Sequence, residues 1–204
     1  MSVKLILASE LTAALPKIAE ELDTVRKGAR FLFVPTAAIG EGWVPEDESH
    51  VDPFSAMGFE VERFDLVGRK PKETKEALSR STAVYVCGGN TFFLVDHMRR
   101  SGFFDLVKDR IAEGLVYIGS SAGSVAACPD IGFAETLDDR SKADLSSDEG
   151  LGLVDFDILP HLDHPEYGGH VRRLYESPSP SGRMRLGLCD GQVAVVEDRG
   201  FRVV

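Results

Sequence analysis

The sequence predicts an α/β fold: a mostly parallel sheet with helices on both faces, finished by C-terminal antiparallel strands. Three observations carry that expectation. Short apolar runs alternate along the chain with longer amphipathic patterns. The apolar runs are nearly continuous, as strands covered on both faces are. Only the last part changes character, with two turn signals between strand-like runs.

In order, "VKLILAS" reads as a buried strand and "ELTAALPKIAEELDTVRKG" as an amphipathic helix ended by Gly28. "RFLFVPTA" is a second apolar strand, "FSAMG" closes a helix, and "FEVERFDL" alternates in strand fashion. The polar helix "KPKETKEALSRS" precedes the strand "TAVYVCGG". Two helices, "TFFLVDHMRRSG" and "FFDLVKDRIAEG", then lead to the strand "LVYIGSS" and a helix from Ala122. "DFDILPHL" is a further strand, and "HVRRLYESPSP" is a helix stopped by prolines. "RLGLCDGQVAVVEDRGFRVV" reads as antiparallel strands turning at Asp190-Gly191 and Arg199-Gly200. No linker interrupts the pattern, so residues 1–204 read as one domain, long enough to bury a core.

Composition narrows the partners. The net charge of −10 disfavours nucleic acid and anionic membrane surfaces. The N-terminal apolar run "LIL" is too short for a signal peptide or a membrane span. Cys87, Cys128 and Cys189 are widely spaced, forming neither a disulfide framework nor a zinc motif, which suits a reducing cytoplasm.

Ligands of open α/β sheets bind beyond the carboxyl ends of the strands, so the segments that follow strands hold the candidates. Gly119-Ser120-Ser121-Ala122-Gly123 follows one strand and opens a helix. It fits G-x-S-x-G, in which Ser121 takes the strained turn as a nucleophile and the next amide faces the substrate carbonyl. A capped strand-to-helix turn is the plain alternative. A serine nucleophile needs a base. His50 lies in an acidic loop and His97 within a helix, whereas His161 ends the strand-like "FDILP" at the same sheet edge as Ser121. His164 and His170 share its loop, and their spacing matches no standard metal motif. In "VYVCGGNTFFL", Gly88-Gly89-Asn90 follows another strand. Its glycines let the backbone approach a ligand, although Asn90 or Thr91 could equally cap the helix.

Taken together, "CGGNTFFL", "YIGSSAGSVAACPDI" and "LPHLD" resemble the peptidase E (aspartyl dipeptidase) family of serine peptidases, relatives of the cyanophycinases. The resemblance implies a class I glutamine amidotransferase-like fold. It also implies a cytoplasmic serine exopeptidase that needs no cofactor. A short peptide is the expected partner and a homodimer a candidate assembly, with no metal expected from the histidine spacing. By position the resemblance places the nucleophile on Ser121 and the base on His161. The oxyanion hole falls on the amides of Gly89 and Ala122, with Asn90 in the substrate site. The family's third triad member falls in "CPDIGFAETLDD", where Glu135 is the nearest carboxylate and completes an expected Ser-His-Glu triad. Asp130, Asp138 and Asp157 compete for that role. The family's "GETR" arginine, which reads a substrate aspartate, has no exact match. Arg172 and Arg173 lie at a similar distance and could pair with such a side chain or simply face solvent.

The expectation is therefore a serine exopeptidase hydrolysing short peptides through a Ser-His-Glu triad and an acyl-enzyme, with a dipeptidase preferring N-terminal aspartate as one form of it. The loops 36–52 and 136–150 are candidate walls for the cleft. A carboxypeptidase, another amide hydrolase of broader specificity, and a non-catalytic ligand-binding relative are the rivals.

Overall fold

The computed structural model describes residues 3–23, 25, 28–43, 52–198 and 200–204. Five parallel strands dominate: β1 (Lys4–Ala8), β2 (Arg30–Val34), β3 (Glu60–Arg63), β4 (Ala83–Val86) and β5 (Val116–Ser120). Two more, β8 (Val193–Glu197) and β9 (Gly200–Val203), complete a seven-stranded sheet ordered β3-β2-β4-β5-β1-β8-β9. The helices are α1 (Leu11–Leu22), α2 (Thr36–Gly40), α3 (Asp52–Ala56), α4 (Pro71–Arg80), α5 (Thr91–Arg100), α6 (Phe103–Ala112), α7 (Ala122–Val125) and α8 (Gly168–Glu176).

The apolar runs become the central strands because they lose water on both faces. Leu5 to Ala8, Phe31 to Val34 and Ala83 to Val86 are all buried. Each large side chain so removed from water contributes roughly 1.5–3 kcal/mol. Phe31 stacks on Phe54 at 4.4 Å and Phe33 on Tyr85 at 5.4 Å between ring centroids, filling the space between β2, β4 and α3. In α1 the buried residues Leu11, Ala14, Ile18 and Leu22 recur at helical spacing. β3 carries Glu60, Glu62 and Arg63 and ends the sheet, where charge discourages pairing with another chain.

The C-terminal part differs from the sequence expectation in one respect. β8 pairs antiparallel with β1, and β9 antiparallel with β8. Both edges of β8 are therefore taken, and the segment "RLG" cannot form a hairpin with it through Asp190-Gly191. Instead β7 (Arg185–Gly187) pairs in parallel with β6 (Asp157–Leu159) as a separate two-stranded ribbon. The buried Asp157 carboxylate accepts a hydrogen bond from Arg183 Nε at 2.9 Å and anchors that ribbon. In the second expected turn, Arg199 lies outside the described residues.

Register brings the functional segments to one edge. Ala8 lies opposite Ser120, and Val86 opposite Gly119, so β1, β4 and β5 end side by side. Because β8 runs the other way, its first residue, Val193, is also opposite Ala8. The residues just before β8 thus reach the edge where the parallel strands end.

Candidate active site

Ser121 sits at φ 48°, ψ −113°, a left-handed backbone that a serine adopts only when its surroundings impose it. They do so here by hydrogen bonding and by close approach. The Ser121 N–H donates to the carbonyls of Ala8 and Ser9 at 3.1 and 3.0 Å. A Cβ on Gly123 would stand 2.1 Å from the Val86 carbonyl oxygen, so only glycine allows the turn to pack against β4. The two adjacent serines separate cleanly. Ser120 is buried and shares a 2.9 Å hydrogen bond with the Tyr85 hydroxyl, whereas Ser121 faces the cleft.

His161 is buried and also left-handed, at φ 66°. Its Nε2 lies 2.9 Å from Ser121 Oγ, and its Nδ1 lies 2.6 Å from Asp190 Oδ1. An ionised carboxylate only accepts, so Nδ1 carries the proton and Nε2 is left to accept from the serine hydroxyl. The imidazole is further confined by Tyr167, which meets it edge-on at 5.3 Å and stacks on His164 at 3.7 Å. His97 is elsewhere, packed on Phe93, and burial pushes its pKa down. His50 lies outside the described residues.

The carboxylate facing His161 is therefore Asp190, and the expectation for Glu135 is corrected. Glu135 stands on a 3-10 turn, Gly132–Thr136, with its side chain more than half exposed and 3.4 Å from Arg140. That turn points it to solvent, while its neighbours Thr136 and Asp138 line the cleft. Of the other candidates, Asp130 accepts from the Gly132 N–H and Asp157 is held by Arg183. Asp138 accepts from the Thr91 N–H at 2.8 Å, and burial raises its pKa.

Gly89, at φ 134°, lies on the opposite wall, where a Cβ would come 2.2 Å from the Ala37 carbonyl oxygen. Among the described residues, the N–H groups of Gly89 and Ala122 donate to no protein acceptor, and Gly89 and Ser121 line one cavity. Asn90 is fully buried and does not reach that cavity. Its Oδ1 accepts from the Phe93 N–H, and its Nδ2 donates to Glu41 Oε1 and the Asp139 carbonyl at 3.1 and 3.0 Å. Its hydrogen bonds join two walls of the cleft. Arg172 and Arg173 are exposed on α8 and are not among the residues lining the cleft.

The cleft has a volume of about 610 Å³. Segment 136–139 forms one wall and Glu41 another, while the rest of the stretch 44–51 lies outside the described residues. The polar loop that follows is tied down: Arg140 pairs with Asp148, and Arg99 donates to the Glu149 carbonyl at 2.7 Å. An adjoining apolar recess is lined by Val125, Phe133, Leu159, Val171 and Leu174. Among the described residues no group of three or more His, Cys, Asp or Glu side chains is arranged to hold a metal ion, and no helix is long and apolar enough to cross a membrane.

Residues 4–204 match the model of peptidase family S51. An uncharacterized peptidase of Listeria monocytogenes serovar 1/2a is 34% identical over 148 residues, 72% of each chain. Peptidase E of Nostoc is 30% identical over 181 residues, 86% of this chain and 72% of its own. A crystal structure assigned to peptidase E from Listeria monocytogenes EGD-e superposes with a TM-score of 0.90 at 27% identity, covering 100% of this chain and 98% of its own. A peptidase from an acI-B1 actinobacterium shares the fold at a TM-score of 0.71 and 21% identity, over 98% and 86% of the two chains.

Proposed function

Because this chain belongs to peptidase family S51 and is a serine-type peptidase, we propose that it is an exopeptidase cleaving short peptides through Ser121, His161 and Asp190. The observation that carries this reading is the continuous relay of 2.9 Å and 2.6 Å from Ser121 Oγ through His161 to Asp190. Ser121 Oγ attacks the scissile carbonyl carbon as its proton passes to His161 Nε2. Asp190 keeps the imidazole in the required tautomer and offsets the charge of the imidazolium. The amides of Gly89 and Ala122 receive the developing oxyanion. His161 then gives its proton to the departing amine, leaving an acyl group on Ser121. Water, deprotonated by the same nitrogen, hydrolyses that ester and frees the serine.

Two properties of the cleft support restricting it to short substrates and a free amino end. Its volume of about 610 Å³ suits a molecule the size of a di- or tripeptide. Its lining carries Glu41, Asp138, Asp139 and Glu166, with no lysine or arginine among the described residues. Lys142 neutralises Glu41 from 2.8 Å, leaving the remaining carboxylates to favour an α-ammonium group. A preference for N-terminal aspartate would need a cation that this lining lacks.

A dipeptide and tripeptide panel, with Asp, Ala or Lys first and with free or acetylated amino ends, tests the reading. Free-amine Ala and Lys substrates should be cleaved faster than the Asp substrate, and acetylation should block cleavage. Cleavage of acetylated peptides that depends on a free carboxyl end would make it a carboxypeptidase. Strong Asp preference lost in Arg172→Ala or Arg173→Ala would restore the aspartyl reading. Near-wild-type activity in Ser121→Ala would overturn the mechanism.

A further inference from the structure

We infer that Ser9 is a positioning residue for the catalytic histidine, holding carboxylate, imidazole and nucleophile in one frame from the end of β1. The inference rests on the acyl-transfer reading above. Ser9 follows β1 directly and is fully buried. Its hydroxyl stands between two groups: the His161 backbone N–H at 2.7 Å and Asp190 Oδ1 at 3.0 Å. A peptide N–H can only donate, so Ser9 Oγ accepts from His161. Its single proton is then left for the carboxylate, which can only accept. The direction of both bonds follows from that inventory alone.

Ser9 thereby touches all three members of the relay. Asp190 Oδ1 receives two donors, the Ser9 hydroxyl and His161 Nδ1–H, the latter at 2.6 Å. The Ser9 carbonyl oxygen accepts the Ser121 N–H at 3.0 Å. Each of these contacts restrains something otherwise free to drift. Asp190 sits on a turn with its side chain about a quarter exposed, where water could draw its carboxylate away from the imidazole. His161 holds a left-handed backbone at φ 66°, which persists only while surrounding bonds enforce it. Ser9 satisfies the buried N–H of that residue and orients the carboxylate facing its ring. A relay depends on such alignment to within a fraction of an ångström, and supporting residues supply it.

The test compares Ser9→Ala, Ser9→Thr, Asp190→Asn and the Ser9→Ala/Asp190→Asn double variant, with Ser121→Ala alongside, on the best peptide of the panel. Removing one hydrogen bond to a charged group should lower kcat about 10- to 100-fold while KM stays within about twofold. The downfield proton resonance of the His161–Asp190 hydrogen bond should broaden or move upfield in Ser9→Ala. Ser9→Thr, which keeps the hydroxyl, should recover both. If Ser9 acts through Asp190, Ser9→Ala should cost little further in the Asp190→Asn background. A merely structural serine would instead give additive losses and an unmoved resonance, and either result overturns the proposal. So would a kcat for Ser9→Ala within about twofold of wild type. Should Ser9→Ala lose its cooperative unfolding transition, Ser9→Cys takes its place. It keeps an atom where Oγ stood but donates weakly, so the same loss of kcat and the same spectral change are expected. Full activity in Ser121→Ala would remove the serine mechanism and this inference with it. An inactive Ser121→Ala beside a fully active Ser9→Ala would remove this inference alone.

Discussion

Replacing Asp190 with asparagine separates the two carboxylates proposed to orient His161, one by tertiary geometry and the other by position in the chain. Asparagine keeps the shape of aspartate and can still accept from His161 Nδ1, so the substitution removes mainly charge. In the transition state that charge faces an imidazolium, with the closest atoms 2.6 Å apart. Taking about 4 Å between charge centres and an effective dielectric constant of about 20 gives an attraction near 4 kcal/mol. The Asp190 side chain is 24% exposed, so water screens part of that attraction. A net loss of about 2.5–4 kcal/mol corresponds to a fall in kcat of roughly 10²- to 10³-fold. Glu135 is more than half exposed and faces Arg140, so Glu135→Gln should change kcat by less than about twofold. The assay is steady-state hydrolysis of a cleaved dipeptide, with labelling of Ser121 by a serine-reactive phosphonate as a measure of nucleophile activation. Near-wild-type kcat in Asp190→Asn would refute the reasoning, as would equal losses in the two variants.

Two further outcomes test how the site is built. Ser120→Ala should leave hydrolysis intact but lower stability by about 0.5–1.5 kcal/mol in denaturant unfolding, because it removes a buried hydrogen bond to the Tyr85 hydroxyl; loss of activity without loss of stability would make Ser120 the nucleophile. At Asp138, burial raises the folded-state pKa above that of the unfolded chain, so the folded state holds that proton more tightly. The stabilisation is therefore present below the unfolded pKa and lost as pH rises through the folded one. Asp138→Asn keeps an acceptor for the Thr91 N–H and escapes that loss, so its Tm relative to wild type should rise as pH climbs above the ordinary aspartate range. A difference in Tm that is flat with pH would contradict the burial argument.

Much of the fold was legible because the central strands are continuous apolar runs and the helices keep their spacing. Ser121 was legible for a local reason: it follows β5 directly, and a segment leaving a parallel strand emerges at the carboxyl edge of the sheet. His161 stands two residues beyond β6, in the separate ribbon, so its approach to Ser121 rests on how that ribbon packs. Asp190 was not legible. In the chain it looks like the first residue of an Asp-Gly hairpin turn, and Glu135 holds the better position by motif. The signal would have been the pairing of β8. Antiparallel to β1, it brings its beginning to the edge where the parallel strands end. β7 misled for a related reason, since no edge of β8 was left for it.

By itself, then, the sequence determined the layered α/β architecture and the serine turn at the carboxyl edge, both set by patterns within one element and the turn after it. Only the tertiary structure decided that His161 reaches Ser121, which carboxylate faces the imidazole, that Asn90 joins two walls of the cleft, that Arg172 and Arg173 are not among its lining residues, and that Ser9 meets His161 and Asp190. Those outcomes depend on strand direction and register between segments far apart in the chain. Ser9 and Asp190 meet at 3.0 Å across 181 residues of sequence, a contact that no spacing within either segment encodes.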